Sequence, residues 1–160
     1  MNLWPPSIDF FQDIVEELSS EYEILEYADY NFTNKEDFEE FVREIYKIDG
    51  AVERSINRKI DFFTDLHHKK VKRFDTYNSD NYIMRCIHFN IPNPVFRPRG
   101  SDGKPISIET EAIKRYYRDK YSGKIENYIY DIIIHIGDNE VQTKNILSLL
   151  DNYKKFKRNE

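Results

Sequence analysis

The sequence predicts an α+β fold, a sheet with helices packed on it, and three observations carry that prediction. Apolar residues recur at helical spacing in some segments and alternate in others. These segments run in the order helix, strand, helices, hairpin strands, helix, strand, helix, which an open sheet with helices over one face accommodates. The chain has 160 residues, 39% of them hydrophobic, enough to bury one core and form one domain.

Phe10, Phe11, Ile14, Val15 and Leu18 recur behind Ser7 and predict a helix over about 7–19. Trp4-Pro5-Pro6 precedes it and leaves only Met1 to Leu3 for a strand, so that strand is vestigial or the natural chain begins earlier. Glu21 to Phe32 alternates as a strand. Thr33 or Asn34 caps a helix bearing Phe38, Phe41, Val42, Ile45 and Ile48, and Gly50 interrupts it before another helix through Val52, Ile56, Ile60, Phe63 and Leu66. Residues 69–91 read as a hairpin turning at Asn78-Ser79-Asp80-Asn81, with Tyr82–Ile91 the better strand. Pro92, Pro94, Pro98, Gly100, Gly103 and Pro105 predict a rigid loop without regular structure. A helix near 107–121, a strand over 128–136 and a helix using Val141, Ile146, Leu147, Leu150 and Tyr153 complete the domain, 1–153, before a charged tail from Lys154.

Composition narrows the function. A net charge of −5 gives no general affinity for nucleic acid. The charge is uneven: 7–49 is acidic, whereas 97–124 holds Arg97, Arg99, Lys104, Lys114, Arg115, Arg118, Lys120 and Lys124, which suits a small, highly charged anion or a solvated face. Apolar runs are only a few residues long, so no membrane span is expected, and no secretory opening is present. Cys86 is the only cysteine, which excludes an intrachain disulfide and fits a reducing cytoplasm.

His135 is the most informative residue. It ends the apolar run Ile132-Ile133-Ile134 before Ile136-Gly137-Asp138-Asn139, so a strand delivers its imidazole to a turn whose Asp138 and Asn139 can cap the next helix. A neutral imidazole there can act as nucleophile or base once a second group fixes its tautomer. Asp131 is too far along the strand to do so. His67-His68, His88 and the carboxylates of 9–44 lack metal-ligand or acid/base spacing, and no P-loop or GxGxxG is present.

This order of motifs resembles the nucleoside diphosphate kinase family over roughly the whole chain. The family's Lys-Pro-Asp turn is similar to Trp4-Pro5-Pro6, its phosphate-side tyrosine to Tyr46, its Phe-Phe segment to Phe62-Phe63, and its Asn-x-x-His-Gly-Ser-Asp signature to Asp131–Asp138. The resemblance implies a ferredoxin-like antiparallel sheet of about four strands with helices packed on it. It implies a phosphotransferase in which His135 takes the γ-phosphate of ATP or another nucleoside triphosphate with Mg2+, in a cytoplasmic protein, and it suggests a homo-oligomer. Arg118, with Arg115 or Lys124, would steady the phosphates, and Tyr46 and Phe62 would border the nucleotide. Trp4 replaces the phosphate-binding lysine, and Ile136-Gly137 replaces Gly-Ser, which opens the alternative of an inactive nucleotide-binding or sensor domain. Tyr46 and Phe62-Phe63 can equally be core, and Arg118 a surface partner of Glu111 or Asp119.

Overall fold

A strand of only two residues lies inside the sheet. In the computed structural model, which describes residues 1–32, 34–73, 82–99, 103–129 and 132–157 (side chains of 65–73 and 154–157 excepted), β1 spans only Asn2–Leu3. It is flanked by β3 (Tyr82–Asn90) and β6 (Ile134–His135), both antiparallel to it. With β2 (Glu23–Phe32) paired antiparallel to β3, the order β2-β3-β1-β6 is that of a ferredoxin-like sheet. The fold is α+β, as expected.

Helices α1 (Phe11–Glu21), α2 (Lys35–Ile48), α3 (Glu53–Arg73), α4 (Ile108–Ser122) and α5 (Glu140–Lys157) cover both faces of the sheet, not one. Side chains alternate along β3, which makes the two faces distinguishable. Arg85 lies over the Phe11 ring of α1 and forms a bidentate pair with Asp29 at 2.7 and 2.9 Å. Its neighbours point the other way: Tyr82 stacks on Phe38 of α2 at 4.7 Å, and cross-strand Phe32 packs on Phe41 and on Tyr153 of α5. A sheet so covered needs apolar residues on both sides, consistent with its burial of Met84, Ile87, Phe32 and Ile134.

Several elements differ from the sequence expectation for identifiable reasons. The first helix begins as a 3-10 turn, Pro5–Phe10, because prolines at its start remove backbone donors. Helix α3 continues through Lys69–Arg73, where the first arm of a hairpin was expected; the turn at Asn78–Asn81 lies outside the described residues. The proline-rich loop contains a two-stranded ribbon, β4 (Phe96–Arg99) and β5 (Lys104–Ser107), with Pro98 opposite Pro105. Prolines are tolerated there because both strands are edges. The long strand expected over 128–136 shrinks to Ile134–His135, and Tyr130 and Asp131 lie outside the described residues. Helix α5 runs through Lys157, past the expected start of the charged tail. No described helix is long and apolar enough to cross a membrane.

Trp4 joins the layers. It follows β1, is 0% exposed, and donates its backbone N–H to the Ile133 carbonyl at 3.1 Å. Its indole stacks on Tyr46 at 5.8 Å and packs on Phe41 and Phe63, so one ring ties the sheet to both α2 and α3. Truncation of a buried ring of this size costs about 3–5 kcal/mol. Trp4→Ala should lose that much in chemical denaturation, whereas truncation of exposed Val141 (67%) should fall within about 0.5 kcal/mol.

Candidate functional site

The end of α2 supplies the group that fixes the His135 tautomer. Gly50 adopts φ +74°, a left-handed conformation that favours glycine, and closes the helix: Gly50 N–H donates to Lys47 at 2.9 Å and Ala51 N–H to Tyr46 at 3.0 Å. This pair of bonds is a Schellman motif. It stops the helix with Asp49 at the C-cap, and the Asp49 carboxylate reaches across to Nε2 of His135. A carboxylate only accepts, so Nε2 carries the proton of the neutral ring and Nδ1 holds the lone pair. Nδ1 faces the Asn2 side-chain amide, its ladder neighbour, at 3.4 Å.

The ring is 3% exposed, and Tyr46 stands edge-on to it at 5.4 Å. Burial alone would raise the Asp49 carboxyl; the His135 ring, and then Lys114 and Arg99, outweigh this and hold it below its ordinary value. Those two cations are anchored on Asp138, which is 2% exposed, with Lys114 at 2.5 Å and Arg99 on the other carboxylate oxygen. Asp138 is therefore not the cap of α5, as its position suggested. Asn139 is: its side-chain oxygen accepts from Gln142 N–H at 3.1 Å, and Gln142 in turn accepts from Asp138 N–H at 2.7 Å.

Of the residues singled out in the sequence, His135 and Tyr46 touch, and Arg118 reaches the same strand. Its guanidinium is buried, not at the surface, and donates to the Ile134 carbonyl at 3.3 Å. Arg115 and Lys124 are exposed, and Lys124, just past the end of α4, lies over the Phe10 and Tyr121 rings. Phe62 is half-buried against the core, and Phe63 is fully buried against Trp4. His88 is half-buried on β3, and Cys86 is buried.

Three participants were not singled out. Asp49 had a legible signal, an acidic residue directly before the helix-stopping Gly50. Asn2 had none, because its role depends on pairing with a strand 133 residues away. Lys59 places its ammonium 4.7 Å from the Tyr46 ring while bonding Ser55 at 2.9 Å, so a cation does approach the Trp4–Tyr46 stack. Lys114 was visible only as a member of a basic stretch, and Arg99 as one of the Arg97/Arg99 pair on the proline-rich loop that could bring charge to the site. Comparison of the chain with family models, curated proteins and solved structures returns no match.

Chemically, the cluster is an imidazole oriented by a carboxylate, with its second nitrogen capped by an amide and four cations nearby that bond to protein groups. Removing Asp49 leaves a buried N–H without a partner, at a cost of about 1–3 kcal/mol. A carboxyl held below its ordinary value adds stability above the usual carboxylate range and loses it as the pH falls through the folded-state value. Asp49→Ala should therefore be destabilised at neutral pH, and its stability should fall less steeply than wild type in acid, measured by urea unfolding at several pH values.

Proposed function

We propose that the chain is a divergent nucleoside diphosphate kinase-like domain that binds nucleotide or serves as a sensor without passing phosphate through His135. One observation carries this reading: the ring is buried, its Nε2 is held by Asp49 and its Nδ1 faces Asn2. An in-line phosphoryl acceptor needs a nitrogen open to the donor, with cations free to take up the spreading charge. Trp4 supports the same reading. It stands where the resembling family has a phosphate-binding lysine, and its side chain fills the space beside Tyr46 with indole.

A second reading, the phosphotransferase, draws on the same contact seen from the chemical side. A carboxylate on Nε2 leaves the lone pair on Nδ1, as a nucleophilic histidine requires, and Tyr46, Arg118 and Lys59 surround the strand end. Nucleotide and Mg2+ then belong to a state in which Asn2 has turned away from the ring.

Incubation with γ-labelled ATP and Mg2+ separates the two. The expected result is no acid-labile, alkali-stable label, together with a rise in melting temperature with nucleotide, because a ligand that binds only the folded state stabilises it. Label that His135→Ala abolishes would establish transfer. Absence of both label and thermal shift would remove nucleotide from either reading.

A further inference from the structure

A cavity of about 380 Å3 opens between α1 and α4, and no residue of the His135 cluster lines it. The two helices run antiparallel along it. Tyr22, just past α1, donates its hydroxyl to Glu109 Oε1 in the first turn of α4 at 2.6 Å, whereas Glu17, earlier on α1, pairs with Lys120 in the last turn. On α4 the lining residues stand at 109, 112, 113, 116 and 117, the spacing of one helix face. Buried Leu18 and Ile113 give it an apolar floor.

Its polar groups are sorted by kind. One end holds Glu21 and Glu109, and neither is in an ion pair among the described residues. No lysine, arginine or histidine lines the cavity. The other end is aromatic. Tyr116 and Tyr117 meet edge to face at 5.0 Å, and the Lys120 ammonium, already paired with Glu17, stands 5.5 Å from the Tyr116 ring. An ammonium is therefore already held at the rim by a carboxylate and a ring, the two kinds of group that line the interior.

Tyr117 points to the occupant. It is 3% exposed, yet its hydroxyl makes no hydrogen bond to the described protein. Burial, and then Glu17 and Tyr116, hold this phenol above its ordinary value, so the oxygen keeps its proton and can both donate and accept. Buried polar groups are ordinarily paired, and the space in front of this one is the cavity. Positions 109 and 117 lie about 12 Å apart along α4. Hydrogen bonds of about 2.9 Å at each end leave about 6 Å between them, the span of one aromatic ring with a short link.

We propose that this cavity binds a small aromatic amine, with its primary ammonium between Glu21 and Glu109, its ring on Leu18 and Ile113 beside the tyrosines, and a hydroxyl at its far end paired with Tyr117. The carboxylates hold the charge, the rings and floor bury the body, and Tyr117 reads the polar end. The site is separate from His135 and independent of any nucleotide.

The probe is tyramine, titrated into the full chain by isothermal calorimetry at neutral pH. Saturable binding is expected. The analogue p-ethylphenol, which lacks the ammonium, should bind about tenfold or more weaker, because a hydrogen bond to a charged group is lost. Phenethylamine, which lacks the hydroxyl, should bind several-fold weaker. Glu109→Gln keeps an oxygen for Tyr22 and should weaken tyramine about tenfold. Tyr117→Phe should bring tyramine down to the affinity of phenethylamine and leave phenethylamine unchanged, as a coupled pair requires. The compound series tests the same contacts on the unaltered chain, and His135→Ala should leave it as it is. The proposal is overturned by absence of saturable binding at millimolar tyramine, by equal binding of the three compounds, or by a Tyr117→Phe protein that binds tyramine as before or loses both amines alike. Displacement of tyramine by ATP would also overturn it, by giving the cavity to nucleotide.

Discussion

The packing of Trp4 is the contact on which the rest of the molecule depends. A two-residue strand has little ladder with which to hold its place, yet β1 must bridge β3 and β6. The indole supplies what the backbone lacks. It buries against one aromatic residue from each of three turns of α2 and α3 and so fixes the depth at which β1 enters the core. Ser7 reinforces the same corner, donating its hydroxyl to the Trp4 carbonyl at 2.8 Å and lying 3.2 Å from that of Ile133. The chain leaves the strand through Pro5-Pro6 in one defined direction, which places α1 over the opposite face.

That arrangement also decides the electrostatics around His135. Two carboxylates withdrawn from solvent, buried Asp138 and half-buried Asp49, would be costly alone; each is held by partners from other elements. Asp138 takes one cation from the β4–β5 ribbon and one from α4, and Asp49 takes the imidazole of β6. The result is a polar layer that locks α2, α4, β4 and β6 together at one end of the sheet. A histidine in such a layer is positioned with catalytic precision whether or not it reacts, so orientation alone says little about turnover; access of a donor to Nδ1 is what matters.

Much of the architecture could be read from the residues. Helices α2, α4 and α5 were legible because their apolar stripes and caps agree: Asn34 and Ser107 each accept the N–H expected of a cap. The β4–β5 ribbon was hidden because proline usually argues against strands, and only pairing between two edges makes it permissible. The last strand was overestimated because Ile132 and Ile133 are apolar for burial, at 0% exposure, and only Ile133 touches the ladder, through its carbonyl to Trp4. At the site, His135 and Tyr46 were legible from type and place. Asn2 and Lys59 were not, since each acquires its neighbour through tertiary packing rather than local spacing. Trp4 was visible as a departure from the resembling family, but nothing in its local sequence showed that it would stack on the very tyrosine the resemblance picked out.

The central position of β1 has a consequence for the order in which the molecule assembles. Residues 2 and 3 meet partners near positions 85 and 135, so the middle of the sheet closes only through long loops. Such contacts bear the largest closure entropy and slow the search for the native topology. The β2–β3 pair and the α2–α3 pair can form from nearer segments. The two-residue strand is therefore among the last parts of the sheet to settle, since its pairing on both sides waits for β3 and β6, while its indole can already shelter against α2 and α3.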